Sequence, residues 1–127
     1  MRRSTERGSA AVEFALLLPI LLMVLLALVQ VGAVARDQLL LTQASRAGAR
    51  EAAVVGSVDA VREAVHSAGA GLDLDRVSIK VAWSGERGLP VTVSLAYEVR
   101  VASPIAGWLL PETVTLRSSS TMRQEFA

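Results

Sequence analysis

Residues 14–35, FALLLPILLMVLLALVQVGAVA, run for 22 positions without a charge. No other feature constrains the fold as much. As a helix rising 1.5 Å per residue, the stretch spans about 33 Å, enough for a hydrocarbon core of about 30 Å. Leucines and Met23 surround it on all sides, so it lacks the polar face that an interfacial helix needs. Pro19 lies five residues after Phe14. In lipid such a proline is tolerated when neighbouring groups satisfy the released carbonyl, and it usually marks a bend. Gln30 and Gly32 interrupt the far end, and Gly32 lets another helix approach closely. The stretch makes this a small membrane-anchored protein.

Composition narrows the reading. The 127 residues are 52% apolar and 20% charged, with a mean hydropathy of +0.45, which excludes an intrinsically disordered chain. Removing Arg2, Arg3 and Arg7 from the 13 basic residues, and Glu6 and Glu13 from the 12 acidic ones, leaves ten of each after residue 35. A tail of zero net charge carries no basic footprint for nucleic acid. There is no cysteine, hence no disulfide scaffold, thiol nucleophile or cysteine-ligated metal. One histidine, His66, builds neither a metal cluster nor a triad. Asp73 and Asp75, before the first predicted strand, read as turn and cap residues, and no calcium-loop pattern surrounds them. The sequence thus supplies no catalytic residue, cofactor site or metal site.

Three fates fit the apolar stretch. A secretory signal peptide would use the basic head and the small residues Ala33-Val34-Ala35, although the run exceeds the usual length and acidic Glu13 stands at its entrance. An uncleaved anchor is the second. The third is a prepilin-type leader, removed ahead of the hydrophobic run. Lysine and arginine counts do not orient the span, because Arg2, Arg3 and Arg7 before it are matched by Arg36, Arg46 and Arg50 after it.

The segment Arg7-Gly8-Ser9-Ala10-Ala11-Val12-Glu13-Phe14 carries the most information. A glycine is followed five positions on by a glutamate and then by an unbroken apolar run. This resembles the class III prepilin cleavage pattern. The longer stretch, about residues 7–55, resembles the TadE-like family of tight-adherence (Tad/Flp) pilus assembly proteins. In that family a leucine-rich run containing a proline leads into a polar helix rich in alanine and arginine. Pro19 and the set Gln43, Ala44, Arg46, Ala47, Gly48, Ala49, Arg50 and Ala52 match it here.

The resemblance implies a non-enzymatic minor pilin or pseudopilin-like component of a Tad-type pilus or a related secretion apparatus. It further implies that a membrane-embedded prepilin peptidase cuts between Gly8 and Ser9 on the cytoplasmic side. The product would have 119 residues and a net charge near −1, since three arginines and Glu6 leave a chain of charge +1. Gly8, without a side chain, lets the backbone lie extended in a narrow protease site. Glu13 falls four residues after the new N-terminus, on the same helical face as Ser9. By the resemblance it would register subunits by meeting a neighbour's terminal amine. By its position alone it would lie in the headgroup region. The implied partners are the peptidase, other pilin-like subunits, inner-membrane Tad assembly proteins and lipid, with no nucleic acid. The implied location is the bacterial cytoplasmic membrane, with the N-terminus inside and the tail outside, or the pilus itself. The rival reading is a secreted or anchored binding module with an ordinary signal peptide or uncleaved anchor.

The expected fold is α+β and membrane-anchored, with residues 1–8 a leader, 9–56 a long helix and 57–127 a small domain. The helix continues beyond the membrane, where Ala44, Ala47, Gly48 and Ala52 form a stripe of small side chains suited to close helix contact. Arg46 and Arg50 share a face, either solvated or in contact with headgroups or a partner. Gly56-Ser57 closes the helix, and Ser57 caps a shorter one over Val58–Ala68 with Val61, Ala64, Val65 and Ala68 inward. Alternation predicts strands over 77–83, 91–101 and about 113–123, joined by a hairpin loop at 84–88. Three antiparallel strands under one covering helix is the economical arrangement. The connection 103–111, with Ile105, Trp108, Leu109 and Leu110, either fills the open edge of the sheet or offers Trp108 and Leu109 to a partner or membrane.

Overall fold

The computed structural model describes residues 3–101 and 112–125, with side chains from Gly8 onward. Its elements are α1 (Arg3–Val54), α2 (Val58–Ala68), a 3-10 turn (Leu74–Arg76), β1 (Val77–Trp83), β2 (Pro90–Arg100) and β3 (Thr113–Arg123). The chain divides into two units, Met1–Ala33 and Val34–Ala127, and α1 passes through both.

The first unit holds helix and no other element. Every residue from Gly8 to Val29 is exposed, including Phe14 at 63% and Leu17 at 61%. Helix formation here needs no packing, because leucine, methionine and alanine are strong helix formers. The helix continues through Pro19. Among the described residues the helix already includes Arg3 to Gly8, the segment expected as a leader, and neither glycine nor proline precedes Gly8 to break it. It is long and apolar enough to cross a membrane.

In the second unit α1 changes character. Leu41, Ala44, Ser45, Gly48, Ala49, Ala52 and Ala53 are buried, a three-four spacing that marks one helical face. The helix stops where Gly56 adopts a φ of +67°, the left-handed conformation that ends helices cheaply only with glycine. Its last carbonyls find partners elsewhere in the fold. Trp83 Nε1 donates to Ala52 O at 3.4 Å, and Glu125 N donates to Ala53 O at 2.9 Å. Ser57 occupies the N-cap position of α2, but its hydroxyl makes no capping bond, contrary to expectation. The α2 stripe is as expected: Val61 and Val65 are buried, Ala64 and Ala68 half-buried, and Arg62, Glu63 and His66 exposed.

The three strands form an antiparallel sheet in the order β1-β2-β3. Val77 pairs with Tyr97 and Trp83 with Val91 in one ladder; Val91 pairs with Met122 and Val99 with Val114 in the other. Central β2 carries the sheet's share of the core through Val91, Val93, Leu95 and Tyr97, and these pack with Leu41, Ala49, Ala52, Val61 and Val65. The cover is therefore two helices, α2 and the second half of α1, where one was expected. Three strands make a sheet about 14 Å wide, more than a single helix of about 10 to 12 Å covers. The second unit accordingly takes in residues 34–54 as well as the segment after Gly56.

Candidate functional site

Two regions were singled out by sequence, and the structure treats them differently. At the first, Gly8 sits within α1, and a Cβ added there would meet nothing within 4 Å. One turn on, Ser9 Oγ donates a hydrogen bond of 3.3 Å to Glu13 Oε1, so the two residues share a helical face. The pair is exposed, and a hydroxyl is a weak partner for a carboxylate compared with a charged donor. The Gly8–Ser9 peptide is helical and not extended, so a protease that needs extended backbone must first unwind it. Glycine makes that easier, because it costs a helix roughly 0.5 to 1 kcal/mol relative to alanine.

At the second region, the stripe of small residues is occupied by this chain. Ala44, Gly48 and Ala52 are buried and Ala47 is half-buried. A Cβ on Gly48 would lie 2.7 Å from Val65 Cγ2, 3.3 Å from Val93 Cγ1 and 3.5 Å from Val61 Cγ1. Gly48 is thus the point where α1, α2 and β2 meet, and only a missing side chain allows that approach. Close helix contact was expected of this stripe, and within this chain α2, together with β2, lies against it at Gly48. Arg46 and Arg50 lie on the opposite, exposed side.

Sequence reasoning missed a second close approach. A Cβ on Gly71 would stand 2.7 Å from Leu40 Cδ1 and 2.9 Å from Arg36 Nη2, so the turn after α2 lies directly on α1. Two polar ties reinforce this seam between α1 and the sheet. Gln38 Nε2 donates to Arg117 O at 3.1 Å, and the Ser45 and Ser118 hydroxyls lie 2.9 Å apart.

The remaining candidates offer little chemistry. Asp73 pairs with Arg76 at 3.1 Å across the 3-10 turn, as a turn residue would. Among the described residues no cluster of three histidine, aspartate or glutamate side chains is placed to hold a metal ion. Trp108 and Leu109, with the rest of the apolar connection, lie outside the described residues.

Comparison with known proteins bears on the first region. The family described as TadE-like protein matches residues 8–50, from Gly8 through the apolar run to the end of the alanine- and arginine-rich stretch. The match stops short of α2 and the sheet. No curated protein and no solved structure matches the chain. The helical segment from Gly8 to Arg50 is therefore similar to the TadE-like family.

Proposed function

We propose that the protein is a minor pilin or pseudopilin-like assembly component of a Tad-type pilus, with no chemistry of its own. The observation that carries this reading is the coincidence of the family match with a helix segment that has no neighbours. The match begins at Gly8, and the 22 residues from Gly8 to Val29 are exposed on every side. Such a segment needs an apolar environment from outside the chain, and lipid and other apolar helices both supply one.

In this reading a prepilin peptidase cleaves between Gly8 and Ser9 from the cytoplasmic side, which leaves the second unit on the extracytoplasmic side. The new ammonium on Ser9 lies one helical turn from Glu13. The Ser9–Glu13 contact in the uncut chain supports this reading, since it puts the two groups on one helical face. A neighbouring subunit's ammonium would replace the hydroxyl with a charge-assisted bond. That partner offsets the cost of holding a carboxylate at the membrane boundary.

The test is the N-terminal residue and intact mass of the protein extracted from membranes that contain an active prepilin peptidase. A start at Ser9 is expected, and Gly8→Leu should leave the leader attached. A start after Ala35 would identify an ordinary signal peptide, and an intact Met1 a plain anchor. Either would contradict the proposal.

A further inference from the structure

The tail is neutral as a sequence, but the fold sorts its charges. Alternation along the strands puts Ser78 and Lys80 of β1 on the outer face of the sheet. Ser94, Ala96, Glu98 and Arg100 of β2 lie there too, with Arg117, Ser119 and Arg123 of β3. That face carries four of the ten cations in residues 34–127, Lys80, Arg100, Arg117 and Arg123, against the single anion Glu98. Its charge is +3, and the rest of the unit keeps six basic residues against nine acidic. None of the four cations forms an ion pair among the described residues.

An open depression of about 560 Å³ lies on this face, and its lining includes Ser78, Lys80, Ser94, Ala96, Arg117 and Ser119, with Leu95 and Ser118 between them. Small residues form its floor and the two cations stand on opposite edge strands. In register, Lys80 faces Ser94 and Ser119, and Arg117 faces Ala96 and Ser78. Two strand spacings across and two residues along place Lys80 and Arg117 about 12 Å apart between Cα atoms. Ser94 and Ser119 bond each other at 3.2 Å, which leaves each hydroxyl further capacity. The sheet's aromatic residues, Trp83 and Tyr97, lie on the other face, so the outer face has no platform for stacking a base or sugar.

We propose that this face binds an extended phosphate-bearing polyanion. An arginine fork and a lysine point charge fit phosphate oxygens. Hydroxyls between them supply neutral donors to the remaining oxygens, and the lack of aromatic residues makes recognition indifferent to what the phosphates join. The proposal does not depend on the pilus reading, because it rests on the sheet and not on α1.

The test uses the full chain in phosphatidylcholine nanodiscs with fluorescent polyphosphate as the probe. Binding should weaken about tenfold or more as salt rises from about 50 to about 200 mM, the signature of counterion release. The double variant Lys80→Gln/Arg117→Gln should lose at least about tenfold at the lower salt. The charge-matched control Arg46→Gln/Arg62→Gln, at exposed positions on the two helices, should stay within about twofold. If the first double variant loses its thermal melt, Lys80→Gln and Arg117→Gln singly carry the test, each expected to weaken binding several-fold. No wild-type binding at low salt would overturn the proposal. So would equal losses in the two double variants, which would indicate unspecific charge. Tighter binding to polyglutamate than to polyphosphate, or binding only to anionic vesicles, would overturn it as well.

Discussion

The two halves of α1 share one helix and differ in nearly everything else. From Gly8 to Val29 every side chain is exposed and most are large. From Leu41 to Ala53 a buried residue recurs every three or four positions, and most of these are alanine, glycine or serine. Size follows company. Where α2 and β2 come within reach, the helix presents Ala44, Gly48 and Ala52, and where nothing approaches it presents leucine. A stripe of small residues is often a meeting face for helices. In this chain that face is already filled, so a further helix that binds α1 meets the leucine-rich half or the exposed side around Arg46 and Arg50.

Paired glycine substitutions break that comparison most directly. Gly48→Leu would drive a branched side chain into Val65 and Val93, where even a Cβ stands too close. Overpacking of this kind costs about 3 kcal/mol, and the second unit should lose its cooperative thermal melt in detergent. Gly32→Leu, where a Cβ meets nothing within 4 Å, should leave the same melt unchanged. Next in size, Val93→Ala removes buried methyls from the central strand and should cost about 2 kcal/mol, read as a lower melting midpoint. Leu21→Ala in the exposed half should not move it.

Smaller effects come from the polar seam. Ser45 is 1% exposed, and its hydroxyl meets Ser118 at 2.9 Å. Ser45→Ala should cost about 1 kcal/mol by leaving Ser118 with a poorer partner, while Ser45→Ala/Ser118→Ala should cost less than the two single changes summed. Trp83→Phe removes a long bond to the α1 C-terminus and keeps the ring, for a loss of about 0.5 kcal/mol. Arg46→Gln, on the exposed side of the helix, should change the melt by less than about 0.5 kcal/mol.

What was legible in the sequence follows the strength of each local pattern. Val58–Ala68 has a clear stripe between glycine stops, and β1 and the valine-rich β2 alternate cleanly, so their bounds could be read within a residue. The run Ser118-Ser119-Ser120 could not be divided into faces, because three identical residues have no period. Only the register shows that Ser118 and Ser120 turn inward opposite Leu95 and Val93. The second half of α1 was recognised as helix, but its place in the core was not. Its buried residues are small, and a face of alanine and glycine looks the same from sequence whether it meets its own sheet or another subunit. The outward charge of the sheet was hidden for a similar reason, since a balanced total says nothing about how a fold distributes its charges. At the N-terminal end the sequence pattern singled out Gly8, Ser9 and Glu13, but it carried no sign that the helix already includes residues 3–8.

The central claim is that one helix serves two environments: an external apolar one all round its first half, and this chain's own core along one face of its second. The chain has no cysteine, so single cysteines with a membrane-impermeant maleimide report each position without background. They should be placed in otherwise wild-type protein in native membranes, at consecutive positions over 16–29 and 44–54. The account predicts no labelling anywhere in the first set, and in the second a helical period with Arg46 and Arg50 reactive and Ala49 and Ala52 protected. A helical period of labelling within 16–29 would mean that water reaches one face of that segment, and would contradict the account.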